Sequence, residues 1–544
     1  MSPSIHSEPG WPVGAARLFL GHRLTLASLV LALVANLSAA QTPVRNAGSL
    51  PSLGDNSELS AAAERRIGER IAASIYRDPD LIDDPVLEDY LQSIWQPLMA
   101  AARARGELNA ELDERFAWEV FLIRNGTVNA FALPGGYFGV HLGLIAVVSS
   151  PDELAAVLGH ELSHVTQRHI SRLMTQQAQQ APWMIAAMIL GALAASKNPN
   201  AANAAIVGGQ AVAAQGQLNF SRDMEREADR VGFGVMTDAG FDSRGVAAMF
   251  DKLQQAGRLN DSGSFPYLRS HPLTTARIAE AQARVQLASA AKSSNAASQN
   301  DGETRVLHAM MAARARILAL PGVDGLRAMV AEAQRRAPAA ALQPLQVPAT
   351  AANTRESATL YAGSLAAAQL RDFAAARTLL GRLQTLNVGN QRAHHAVELL
   401  SIEIDLLAGM VPPSAGTARM DLTTSRVDVL MQARSLMAAG RSAEVAERLQ
   451  TWVAAHPNDA SAWQMLAVAY GQQNQNLRAI RADAESRAAQ RDYAGALDRL
   501  RAAQALMRRQ PGSADYVEGS ILDTRTRQIA LLLKNQTEQD KVDR

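Results

Sequence analysis

Five consecutive residues constrain this chain more than any others: His160-Glu161-Leu162-Ser163-His164. Residues four apart share one face of a helix, so both imidazoles can meet a single metal ion if this stretch is helical. The flanks agree. Pro151-Asp152 opens a predicted helix reaching about Met174, with Asp152 and Glu153 favourable beside its positive N-terminus. The approach Leu154-Ala155-Ala156-Val157-Leu158 is apolar. Glu161 stands beside such a metal rather than on it, where its carboxylate can take a proton from water. By composition the pattern arises by chance in roughly one such chain in a hundred. The plainer alternative is two satisfied histidines on an ordinary helix.

Two histidines do not complete a catalytic metal site, which needs a third protein ligand and an open position. The metzincin arrangement would place Gly at 167 and His at 170. Those positions hold Gln167 and Ile170, which excludes it. His169, five residues past His164 on the same predicted helix, turns off the ligand face and reads as a surface or packing histidine. With no cysteine in the chain, thiolate ligands, disulfides and thiolate catalysis drop out together. The best remaining donors lie in Glu225-Arg226-Glu227-Ala228-Asp229, on a helix predicted over 221–236. Glu227 points to another face of it and is expected to be solvated.

The 544 residues predict about three domains, and an apolar fraction of 48% suffices for real cores. Lys+Arg 53 against Asp+Glu 52 leaves no basic field, so nucleic acid is not an expected partner. Aromatics are only 5% and alanine is abundant, which tilts the chain towards helix. Leu24 to Ala40 is apolar, follows Arg17, His22 and Arg23, and ends on Ser38-Ala39-Ala40. That pattern predicts a secretory signal over 1–40 cleaved before Gln41, with an uncleaved anchor as the alternative. Residues 41–58 read as a linker. Helices are expected over 59–75 and 85–105, with a turn-rich break at 78–84 and a strand at 116–123. Asn129 to Leu144 reads as two short strands joined at Pro134-Gly135-Gly136. Met184 to Ala195 is too short to span a bilayer and reads as a buried helix or a lid, with 181–216 as a plug if the chain acts chiefly as a chaperone. Residues 286–304, rich in Ala, Ser, Asn and Gln, read as an interdomain linker.

Beyond it, three segments echo one another: Asp372-Phe373-Ala374-Ala375-Ala376, Arg441-Ser442-Ala443-Glu444-Val445 and Asp492-Tyr493-Ala494-Gly495-Ala496. Each follows one apolar helix pattern and opens another. The first two lie about two 34-residue lengths apart, and the last two are closer. Residues 305–535 therefore resemble an irregular tetratricopeptide array, a generic helical bundle being the alternative.

H-E-x-x-H followed some 60 residues later by E-x-x-A-D resembles the M48 family of zinc metallopeptidases. Asn129-Ala130-Phe131 with Pro134-Gly135-Gly136, and Ser270-His271-Pro272 with Arg277-Ile278, resemble two further blocks of that family. The resemblance implies a mainly α fold: a zincin-like domain with a small β-sheet over 59–285, then the all-α array. It implies one zinc per chain on His160, His164 and Glu225, with Glu161 as general base. Asp229 would orient a ligand histidine, and Arg277 would pair with an acidic residue and hold its loop. His271 would stabilise the transition state or block the resting metal. Asn129, Ala130 and Phe131 would bind an extended substrate along a strand edge. Signal, M48 domain and repeats together resemble periplasmic members that serve outer-membrane β-barrel proteins. That implies unfolded or stalled barrels as substrates, docking on the barrel-assembly machinery through the repeats, and association with the outer membrane. The alternatives are an assembly chaperone with a self-inhibited zinc site, and a membrane-embedded protease, which would need several spanning segments.

Overall fold

Alternation along the three longer strands of a small sheet decides the architecture of the first half. A computed structural model describes residues 59–176, 221–258, 265–291, 300–319, 321–335, 349–416, 425–509 and 516–542. The expected signal over 1–40, the linker over 41–58 and the 181–216 segment lie outside the described residues. Among the described residues no helix is long and apolar enough to cross a membrane.

The strands are β1 (Leu81–Ile82), β2 (Glu119–Ile123), β3 (Ala130–Leu133) and β4 (Tyr137–His141), in the order β1-β2-β4-β3. β2 and β4 are parallel, and the two outer pairings are antiparallel. Successive side chains point to opposite faces. Phe121, Leu133 and Tyr137 meet Ile67, Ile71 and Ile75 of α1 (Ala61–Ile75) on one face. Leu122, Phe138 and Val140 join Leu91, Ile94, Trp95 and Leu98 of α2 (Pro85–Ala104) on the other. Both faces are covered, so β4 is buried at every position. Pro134-Gly135-Gly136 does join two antiparallel strands. Gly135 and Gly136 have φ of 74° and 81°, and a Cβ on Gly135 would lie 2.7 Å from the Arg65 backbone. The strand expected from 116 begins instead at Glu119, because Trp118 is left-handed with φ 50°. β1 lies within the stretch read as a turn-rich break.

After α3 (Ala110–Arg115) and α4 (Leu142–Val147), α5 (Pro151–Thr166) carries the histidine motif. It is capped by Ser150, starts on Pro151 and is buried on nearly all sides. The expected single helix to Met174 is two: Arg168 takes φ 55° and α6 (His169–Gln176) starts afresh. Then come α7 (Arg222–Asp238), α8 (Arg244–Arg258), α9 (Tyr267–Ser270) and α10 (Thr275–Ala291).

α10 runs past 286 and α11 (Asn300–Leu318) begins before 304, leaving 292–299 of the expected linker outside the described residues. Met310, Met311, Ala313 and Ile317 of α11 join the same continuous apolar core as α2 and α5. The remaining helices are α12 (Gly322–Arg335), α13 (Ala349–Gln369), α14 (Phe373–Leu386), α15 (Gln391–Leu407), α16 (Arg426–Ala438), α17 (Ser442–Ala455), α18 (Ala460–Gln472), α19 (Asn476–Ala489), α20 (Tyr493–Arg509) and α21 (Tyr516–Val542). Tight turns link many of them through one left-handed residue: Arg371, Gly440, Asn474 or Arg491. The three echoing segments each open a helix, at Phe373, Ser442 and Tyr493. Arg426 ties this array to the first half by gripping Asp83 and Glu88 as well as Asp459. Arg491 donates to the Tyr137 hydroxyl at 2.8 Å.

Candidate metal centre

One helical turn separates His160 from His164 on α5, and their Nε2 atoms face each other 3.0 Å apart. α7 crosses α5 at two glycines. A Cβ on Gly232 would lie 2.9 Å from the Gly159 backbone, so the helices touch main chain to main chain. That contact brings Glu225 within reach. Its Oε1 lies 3.4 Å from His164 Nε2 and its Oε2 lies 3.5 Å from His160 Nε2. The loop after α9 adds His271, whose Nδ1 is 2.9 Å from Glu225 Oε1 and 3.3 Å from His160 Nε2.

These four donor atoms lie within 4.8 Å of one another, and all four residues are buried. A tetrahedral ion held by N and O donors at about 2 Å separates those donors by roughly 3.3 Å, so the set fits a metal ion. Both oxygens of Glu161 are buried with no hydrogen-bond partner among the described residues. The nearest basic group to that carboxylate is His271 Nε2, 3.4 Å from Oε1.

The surroundings orient the donors. Asp229, one turn beyond Glu225, lies 3.0 Å from Nδ1 of His160, leaving Nε2 to face the cluster. Arg277 donates to both Asp229 oxygens at 2.7 and 2.8 Å, lies 2.6 Å from Glu225 Oε2, and donates to the Pro272 carbonyl at 3.0 Å. It therefore neutralises two buried carboxylates and pins the His271 loop.

Electrostatics follow. Burial alone would lower His160, but Asp229 and Glu225 outweigh it and raise it to about 10. Burial, helped by the charge on His160, pushes His164 well below its usual value, against the pull of Glu225. The facing pair is thus set up to share one positive charge. Burial opposes the charge on Glu225, yet His271, His160 and His164 together hold it far below the carboxylate range. Burial raises Glu161, against the pull of His271 and His160.

Two expectations need correcting. His169 is buried, as a packing histidine would be, but it heads its own helix and turns back to His164 instead of away from it. Its Nδ1 is 2.9 Å from His164 Nδ1 and its Nε2 is 3.0 Å from Glu227. Glu227 is accordingly engaged by His169 and Arg172 rather than simply solvated. Tyr267 went unnoticed in the sequence, yet its ring stacks on His271 with centroids 4.6 Å apart. A small apolar cavity adjoins His160, lined by Val157, Val246, Met249, Leu253 and Tyr267.

β3 lies at the sheet edge against α5. His141 N–H donates to the Asn129 carbonyl, and the register pairs Ala130 with Val140. Antiparallel alternation then turns the backbone groups of Ala130 and Ala132 to the outer edge, and those of Asn129 and Phe131 inward to β4. The ring of Phe131 covers Gly139.

Residues 85–285 match the sequence profile of Peptidase family M48. The chain is 32% identical over 262 residues to the beta-barrel assembly-enhancing protease of Escherichia coli, covering 47% of this chain and 52% of the relative. The Yersinia pestis protein of that name is 28% identical over 446 residues, covering 80% and 83%. Mitochondrial metalloendopeptidase OMA1 of Arabidopsis thaliana is 31% identical over 191 residues, 35% of each chain. The alignment to the Escherichia coli relative thus spans about half of that protein's length. The cluster lies inside the matched segment, with His160, His164 and Glu225 on the helices that the two spaced motifs had marked and His271 on the loop after α9. Residues 85–285 thus carry a Peptidase family M48 domain.

Proposed function

We propose that this chain is a periplasmic zinc endopeptidase that degrades misfolded or stalled outer-membrane β-barrel proteins and promotes barrel assembly. One observation carries the catalytic part: the donors of His160, His164 and Glu225 converge in a buried site beside the buried carboxylate of Glu161. The substrate class comes from the names of the Escherichia coli and Yersinia pestis relatives.

A bound zinc supplies Lewis acidity, which acidifies water and polarises a carbonyl. The chain's residues do the rest. Glu161 takes a proton from water and passes it to the leaving amine, and its burial-raised pKa suits both halves of that transfer. Asp229 fixes the orientation of His160. The edge strand around Asn129, Ala130 and Phe131 receives an extended substrate, which pairs with the outward backbone groups of Ala130 and Ala132. Unfolded barrel strands are segments of this kind. The cavity beside His160 takes an apolar side chain next to the scissile bond. The His271 ring, held beside the donor cluster, donates to the developing oxyanion. The helices of 305–535, read as tetratricopeptide repeats, dock on the barrel-assembly machinery.

The Glu161→Gln variant tests this. It is expected to keep one zinc per chain while casein cleavage falls about 10²–10⁴-fold. Undiminished cleavage would refute the assignment of Glu161. The chaperone alternative draws on one contact, His271 Nδ1 among the metal donors. It predicts that Glu161→Gln supports barrel assembly as well as the parent does.

A further inference from the structure

We infer that His169 and Glu227 form a relay that positions His164 in its metal-binding tautomer, a role that rests on the metal reading above. α7 carries three carboxylates within five residues, and each has a different task. Glu225 is a donor, Asp229 meets Nδ1 of His160 directly, and Glu227 meets His169.

Glu227 also accepts from Arg172 at 2.8 Å, and an ionised carboxylate has no hydrogen to give. His169 Nε2, 3.0 Å away, is therefore the donor in that pair. At the other side of the ring, His169 Nδ1 and His164 Nδ1 are 2.9 Å apart and share one hydrogen. If His164 holds it, His164 Nε2 presents a lone pair towards His160 Nε2 and Glu225 Oε1. If His169 holds it, a neutral His164 must carry its hydrogen on Nε2, aimed at the point where the donors meet. Only the first arrangement binds a metal. Glu227 favours it, because it occupies the Nε2 hydrogen of His169 and leaves Nδ1 free to accept. The relay does for the second histidine what Asp229 does for the first.

The backbone is shaped for this contact. On a continuous helix, position 169 lies well round from the ligand face. The left-handed turn at Arg168 swings it back towards His164. Arg168 is anchored there by Glu64 at 3.1 Å and by the Leu59 carbonyl.

Zinc affinity would be measured on the full chain by competition with a chromophoric chelator, for the parent, His169→Ala, His169→Asn and Glu227→Gln. Melting temperatures of the metal-free forms would be recorded alongside. The Asn side-chain oxygen can accept from His164 Nδ1 where the His169 ring did. His169→Ala is expected to weaken zinc binding about 10–100-fold. His169→Asn should recover most of that, and Glu227→Gln should lose less than His169→Ala, with metal-free melting temperatures close to the parent's. Equal affinity in the parent, His169→Ala and Glu227→Gln would overturn the relay. So would a loss that Asn does not restore, which would mark His169 as packing alone. Should His169→Ala fail to fold, Glu227→Gln at its partly exposed position decides, and unchanged affinity overturns the relay. A parent that takes up no zinc would overturn the metal reading and the relay together.

Discussion

Arg277 shows how a single residue sustains the charge that this site keeps away from water. It is 4% exposed and faces Glu225, which is buried, and Asp229, which is nearly so. Burial works against Asp229, but Arg277 and His160 hold it down to about 2. Arg277→Met would leave two buried carboxylates short of a partner. A loss of about 3–5 kcal/mol is expected, read from chemical denaturation of the metal-free protein. A loss under about 1 kcal/mol would show that Arg277 is not what balances them. His160, Glu161 and His164 were readable in the sequence because metal chemistry ties residue type to helical spacing, whereas roles for Glu225, Asp229 and Arg277 came only through the family resemblance. Tyr267 was not legible, since a lone aromatic on a four-residue helix has no spacing to read. The contact of His169 with His164 was missed for a related reason: nothing at Arg168 announces a left-handed residue that most side chains avoid.

Among elements, the α5–α7 crossing matters most, and it depends on Gly159 and Gly232. A Cβ at 232 would lie 2.9 Å from the backbone of both Gly159 and His160. Gly232→Ala should therefore part the helices and draw Glu225 and Asp229 off the histidines. We expect a stability loss of about 1–3 kcal/mol together with weakened metal binding. Full metal affinity in this variant would show that the crossing tolerates the methyl. Such contacts escape periodicity, which marks the apolar face of a helix but not where two helices cross. Strands follow the same logic. The Pro-Gly-Gly turn was readable because it needs positive φ, whereas two-residue β1 is too short to alternate. Residues 286–304 mark a further limit. Their Ala, Ser, Asn and Gln lack an apolar stripe, so sequence pattern does not separate an exposed helix from a linker.

At the scale of the molecule, helices α11 to α16 complete the core of the first half, while α17 to α21 pack in apolar clusters of their own. Arg314 of α11 grips Asp84 at 2.6 Å and Glu403 at 2.7 Å, and His308 bridges Tyr90 at 2.5 Å and the Val148 carbonyl at 2.9 Å. The sequence showed two helical regions but not this seam, which depends on contacts far apart in the chain. Burial lowers His308 to about 4, against the pull of the Val148 carbonyl. A histidine that folding keeps neutral contributes stability that is fully present above its unfolded pKa near 6.5. That contribution is lost as the pH falls through about 4. The window corresponds to about 3 kcal/mol. His308→Gln should flatten the stability curve between those two pH values, and an unchanged slope would assign the acid loss elsewhere.

The most direct test of the central claim is metal content, by mass spectrometry, of the full chain purified beside Glu225→Ala and His271→Ala. One zinc per chain is expected in the parent, lost with Glu225→Ala and kept or merely loosened with His271→Ala. A parent without stoichiometric metal, or a Glu225→Ala protein that holds zinc as tightly as the parent, would contradict it.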